Sequence, residues 1–85
     1  MSGLAADVIG LIGSAMFIGA FAYANLVGEL NKIWFNVVNL IGSVLLLISL
    51  SVHFNLAAFV LETAWGLIAL AGLGAALFKR NKPGA

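Results

Sequence analysis

Few residues in this 85-residue chain have side chains suited to chemistry, and they are scattered through apolar surroundings. Glu62 is the most informative. It lies in the run Ala57-Ala58-Phe59-Val60-Leu61-Glu62-Thr63-Ala64-Trp65. A carboxylate in such a run is costly in lipid, so it has to be paired, protonated, close to the water interface or turned toward protein. Asp7 and His53 are the residues that could join it in acid–base work. Asn36 and Asn39 bring amides that both donate and accept hydrogen bonds. Ser14 and Ser43 add hydroxyls, and Trp65 adds an indole N–H.

These residues do not spell out a catalytic set. No nucleophile stands at a recognisable spacing from a base, and no glycine-rich phosphate loop is present. The chain has one histidine and no cysteine, whereas a zinc site takes about three protein ligands or more. The expectation is therefore no enzyme, no cofactor and no metal. The eight residues Glu62, Asn39, Asn36, Ser14, Ser43, Trp65, Asp7 and His53 are read instead as substrate contacts or interhelical polar contacts.

Composition says which elements must hold them. Hydrophobic residues make up 64% of the chain and charged residues 8%, against about 25% charged in soluble domains. Mean hydropathy is +1.17. A soluble fold of this size buries only about 60% of its chain surface, too little to hide so much apolar area. Lipid is the solvent that fits. The net charge of +1 provides no basic surface for nucleic acid.

Three segments are long enough to cross a bilayer, which takes about 20 residues each. They run over about 4–26, 33–52 and 56–78, with a basic tail at 79–85. The expected fold is one all-α membrane domain over 1–85, with three transmembrane helices in an antiparallel bundle. The first segment ends in a small-residue stretch, Ala20-Phe21-Ala22, of the kind that follows a signal peptide. It has Asp7 and no basic residue ahead of its apolar run, so it is read as a retained helix.

All four basic residues fall on one side of this arrangement. Lys32 is in the first connection, and Lys79, Arg80 and Lys82 follow the third helix. The positive-inside rule then places the N-terminus outside and the C-terminus in the cytoplasm. Gly28 is positioned to end the first helix, and Asn31 and Asn55 to cap the second and third. Tyr23, Trp34 and Phe35 fit an aromatic belt at the cytoplasmic interface. Trp65 lies too deep for that belt and is expected to pack against protein. Pro83 is in the tail, so no helix carries a proline kink.

Residues three, four and seven apart share a helix face. Asp7, Gly10, Ser14, Phe21 and Asn25 make such a stripe on the first helix. Lys32, Asn36, Asn39 and Ser43 make one on the second. Ala58, Glu62, Gly66, Ala69 and Ala76 make one on the third, with Trp65 on its edge. Small and polar residues are what membrane helices use to pack on one another. Asn39 is expected to bond to another helix. Asp7, His53 and Glu62 all belong to the outer half, where one bundle could gather them. The segment Asp7-Val8-Ile9-Gly10-Leu11-Ile12-Gly13-Ser14 is echoed by Asn36-Val37-Val38-Asn39-Leu40-Ile41-Gly42-Ser43, with a fainter copy at Gly66-Leu67-Ile68-Ala69.

The Asp7–Ser14 segment, the Asn39-Leu40-Ile41-Gly42-Ser43 run, Phe54-Asn55 and the Glu62-x-x-Trp65 pair together resemble a family of small, uncharacterised bacterial inner-membrane proteins that carry a permease-like label. The resemblance spans nearly the whole chain and implies a three-helix inner-membrane domain without an assigned activity. A more distant likeness is to the SemiSWEET and PQ-loop half-transporters, whose three-helix chains dimerise around a path for small solutes. Those proteins have a Pro-Gln pair at the end of helix 1, where this chain has Phe21-Ala22-Tyr23-Ala24-Asn25. The expected function is thus a non-enzymatic inner-membrane protein that acts as an oligomer, with a dimer favoured, or as an accessory subunit of a larger membrane complex. The alternative is a dimeric SemiSWEET-like permease.

Overall fold

Among the residues described, 1–81, the computed structural model consists of three helices: α1 (Gly3–Leu26), α2 (Lys32–Leu50) and α3 (Leu56–Asn81). Lys82 and Pro83 lie outside the described residues. At 1.5 Å per residue these helices are about 36, 28 and 39 Å long, comparable to the roughly 30 Å hydrocarbon core of a bilayer. All three are long and apolar enough to cross a membrane.

The helix ends follow local chemistry. Ser2 caps α1, its Oγ accepting from the Ala5 N–H at 3.1 Å. Asn31 Oδ1 accepts from the Trp34 N–H at 3.1 Å and starts α2. Asn55 Oδ1 accepts from the Ala58 N–H at 3.0 Å at the start of α3. Each cap satisfies a backbone donor that the first helical turn leaves over. α1 stops at Leu26, with Val27 extended, before Gly28 is reached. The link is pinned to α1 because the Asn31 N–H donates to the Tyr23 hydroxyl at 3.0 Å. α2 ends two residues earlier than expected, where Ser51 turns its hydroxyl back onto the Ile48 carbonyl at 2.6 Å. α3 runs beyond residue 78, so Lys79 and Arg80 form its last turn. Cations there complement the negative end of the helix dipole.

α2 is the central element and packs against both neighbours, whereas the backbones of α1 and α3 do not approach each other closely. The α1–α3 gap is bridged by rings: Phe17 and Trp65 stand 5.6 Å apart between centroids. The interior is made of small residues. Among the described hydrophobic residues, Ala6, Ala20 and Ala69 are the buried ones, while Leu4, Ile18, Phe21 and Ile68 are exposed. A fold in water puts its large apolar side chains inside. Here they point out, as they do when lipid surrounds the protein.

Close approach explains the alanine and glycine interior. A Cβ at Gly13 would lie 2.9 Å from the Gly42 carbonyl oxygen, and one at Gly42 would lie 3.2 Å from the Gly13 carbonyl oxygen. These two glycines hold equivalent places in the echoed segments, so the echo meets itself across the α1–α2 contact. The buried face of α1 is Ala6, Gly13 and Ala20, rotated by about one residue from the polar stripe of Asp7, Ser14 and Phe21. Backbone contact through Gly and Ala sets the face, and the polar residues near the ends of α1 turn elsewhere. Phe21 is exposed, and Asn25 bonds back to the Phe21 carbonyl of its own helix at 2.8 Å.

Candidate functional site

Asn36, Asn39, Ser43 and Trp65 gather at the seam between α2 and α3, whereas Ser14 is on α1 and Ser49 lies against Gly10 of α1. Asn39 and Ser43 are one turn apart on α2, and both are buried. Gly66 and Gly72 let α3 come close at this seam. A Cβ at Gly66 would be 2.6 Å from Ser43 Oγ, and one at Gly72 would be 2.8 Å from Asn36 Oδ1. The polar stripe of α2 therefore packs directly on the small stripe of α3.

Two hydrogen bonds tie the seam together. Ser43 Oγ donates to the Glu62 backbone carbonyl at 2.6 Å. Trp65 Nε1 donates to Asn39 Oδ1 at 2.9 Å. The Asn39 amide is also held from its other side, with Nδ2 donating to the Phe35 carbonyl at 2.8 Å. Asn36 Nδ2 makes the same turn-back bond to the Lys32 carbonyl at 2.7 Å. Trp65 stays half-exposed along its ring while its polar edge is consumed by Asn39.

Glu62 meets α2 through its backbone rather than its carboxylate. Its side chain is partly covered, and Oε2 is buried without a hydrogen-bond partner. Thr63 Oγ1 is in the same condition. Thr63 drew no attention in the sequence because a lone threonine in a helix usually bonds its own backbone; no periodic signal marks it. Ser14 makes no hydrogen bond to Glu62.

Asp7 and His53 form a separate pair at the opposite end of the molecule from the Asn31 link. His53 Nε2 is 3.2 Å from Asp7 Oδ1 and 3.4 Å from the Gly3 carbonyl oxygen. Both side chains are more than half exposed. Glu62 does not join them. Among the described residues no group of three histidine or acidic side chains comes together, so the gathering of Asp7, His53 and Glu62 in one outer cluster does not form. Asp7 is on α1 and Glu62 is on α3, whose backbones do not approach closely, and His53 is held at the molecule's end by Asp7 and the Gly3 carbonyl.

Between the seam and the surface lies a groove of about 240 Å³, lined by Phe35, Asn36, Asn39, Trp65, Ile68 and Ala69. Its walls are apolar apart from the two amides and the indole edge. Such a surface can hold an apolar side chain, an acyl chain or a small solute with one polar group.

A family model matches residues 6–80, from the first buried alanine of α1 to the last basic residue of α3. The chain belongs to that family, a small uncharacterised one. Neither a curated protein nor a solved structure matches it, so the SemiSWEET likeness has no structural neighbour behind it. For this family member, the matched region includes the whole α2–α3 seam, the Asp7–His53 pair and Glu62.

Proposed function

We propose that this protein is a non-enzymatic integral membrane protein of the bacterial inner membrane that acts as a homo-oligomer, a dimer in its simplest form, or as an accessory subunit of a larger membrane assembly. The observation that carries this reading is the small-residue surface left open on the two outer helices. On α1, Ala15 and Gly19 are four apart and both exposed; on α3, Ala71 and Ala75 are four apart and exposed, with Gly74 between them. Nothing stands within 4 Å of the place a Cβ would take at Gly19 or Gly74. In lipid, small residues at this spacing gain van der Waals contact when another helix packs on them.

The arrangement that fits is an antiparallel bundle. Its support is the order of contacts: Gly3 is beside His53, Gly10 beside Ser49, Gly13 beside Gly42, while Ser43 is beside Gly66 and Asn36 beside Gly72. Numbers rise on one helix as they fall on its neighbour. The N-terminus is outside and Lys32, Lys79 and Arg80 are cytoplasmic, following the positive-inside rule.

Extraction in mild detergent followed by a mass measurement tests this function. A homodimer supports self-association, and co-purification with a large stable partner supports the accessory subunit. A lone chain contradicts both.

A second reading is a dimeric SemiSWEET-like permease for a small solute. What favours it is the groove with Asn36, Asn39 and Trp65 on its walls, which a second copy would close into a path. Solute flux into proteoliposomes separates the two readings. A carrier with Glu62 in its path loses flux in Glu62→Gln, and unchanged flux removes Glu62 from the mechanism.

A further inference from the structure

We propose that the groove between the start of α2 and the end of α3 binds the headgroup of an anionic phospholipid. The groove is lined by Leu30, Asn31, Lys32, Ile33, Ala76, Lys79 and Arg80. Three of these are cations, contributed by two helices that are far apart in sequence. Among the described residues no carboxylate lies within ion-pair distance of any of them; Asp7 is held by His53 instead. Glu29, the acidic residue nearest in sequence, is exposed in the α1–α2 link.

The polar groups of this groove are arranged to donate. Lys and Arg side chains carry donors and no acceptor. Asn31 Oδ1 is already occupied by the Trp34 N–H, which leaves its amide Nδ2 to donate. The rest of the lining is Leu30, Ile33 and Ala76, an apolar floor beneath a cationic rim. A phosphodiester with hydrocarbon attached matches both parts, whereas a free phosphate matches only the rim. Trp34, next in the chain, is exposed, as an interfacial anchor would be. Basic pockets between membrane helices on the cytoplasmic side are suited to anionic headgroups. This proposal rests on the membrane-spanning reading and on Lys32, Lys79 and Arg80 sharing the headgroup level.

The test is native mass spectrometry of the full chain released from lipid discs containing equal phosphatidylglycerol and phosphatidylcholine. The expected result is retention of phosphatidylglycerol over phosphatidylcholine, weakened about fivefold by each of Lys32→Gln and Arg80→Gln, as about one surface cation is worth. Lys32→Gln combined with Glu29→Gln restores the wild-type net charge; a built groove stays weakened in that pair. Equal retention of the two lipids, or recovery in the charge-restored pair, overturns the proposal. So does inorganic phosphate that binds the detergent-solubilised protein with the same sensitivity to Lys32→Gln and Arg80→Gln. A chain that fails to enter the discs overturns the membrane reading and this proposal together, whereas an inserted chain without preference overturns this proposal alone.

Discussion

Trp65 and Asn39 share one hydrogen bond, 2.9 Å from indole Nε1 to amide Oδ1, and it crosses from α3 to α2 in the middle of the apolar segments. The Asn39 amide is fixed in turn by the Phe35 carbonyl, so the acceptor is already aimed when the indole arrives. The pair joins the helices that carry Asn36, Ser43 and Glu62. Trp65→Phe keeps the ring and removes the donor; Asn39→Leu removes the acceptor. A double-mutant cycle in a membrane-mimetic unfolding assay is expected to give a coupling of about 0.6 kcal/mol, and no more than about 1.7. Zero coupling removes this bond from the set that holds α2 to α3.

The glycines at the seams behave differently from those outside. Gly13→Ala drives a methyl toward the Gly42 carbonyl, a backbone atom that cannot swing away. The expected loss is about 1–3 kcal/mol, the usual cost of overpacking. Gly66→Ala meets Ser43 Oγ and disturbs the Ser43–Glu62 bond as well. Gly74→Ala meets nothing and is expected to leave stability unchanged or raise it by up to about 1 kcal/mol. Thermal or denaturant unfolding of the three variants in one detergent checks the order.

Bulk on the open faces tests the partner surface apart from the fold. Gly19→Leu and Gly74→Leu start large side chains at positions where nothing stands within 4 Å of the Cβ. Helix content and unfolding are expected to stay as in the wild type, while cross-linked dimer or partner recovery drops severalfold. Unchanged recovery in both variants shows that another face makes the contact.

The Asp7–His53 pair is more than half exposed on both sides. Exposed pairs contribute about 0–1 kcal/mol. Asp7→Asn and His53→Gln, singly and together, are therefore expected to change stability by less than about 1 kcal/mol. A larger coupling in the unfolding cycle shows that the pair is covered in the assembled protein.

Orientation has a direct chemical readout because the chain has no cysteine. Phe54→Cys and Glu29→Cys place single thiols in the two links. A membrane-impermeant maleimide added to intact cells is expected to label Phe54→Cys and spare Glu29→Cys. The reverse pattern contradicts the N-out orientation.

Most of the fold was legible in hydropathy and in the two capping asparagines Asn31 and Asn55, because helix length and end chemistry are local properties; the Ser2 cap of α1 was not read from it. The α2 and α3 faces were also legible: Asn39, Ser43, Gly66 and Ala69 are buried, where small and polar residues coincide on one stripe. The α1 face was not, since its polar residues and its small residues lie on neighbouring stripes, and close backbone contact at Gly13 decided between them. The partner of Asn39 was beyond the sequence. Its amide could bond to several side chains, and the choice of Trp65 depends on which turn of α3 lies opposite. The isolation of Glu62 depends likewise on α1 and α3 standing apart and on His53 being held by Asp7, tertiary facts with no periodic signature.

On the proposed reading, this small-residue bundle works in association with other chains. The most direct measurement is the number of copies per particle in native membrane discs cut out with a copolymer, so that no detergent strips a partner away. The expected result is particles with two or more copies of the 8.8 kDa chain, or one copy in a fixed ratio to a larger protein. Particles that contain a single copy and no other protein contradict it.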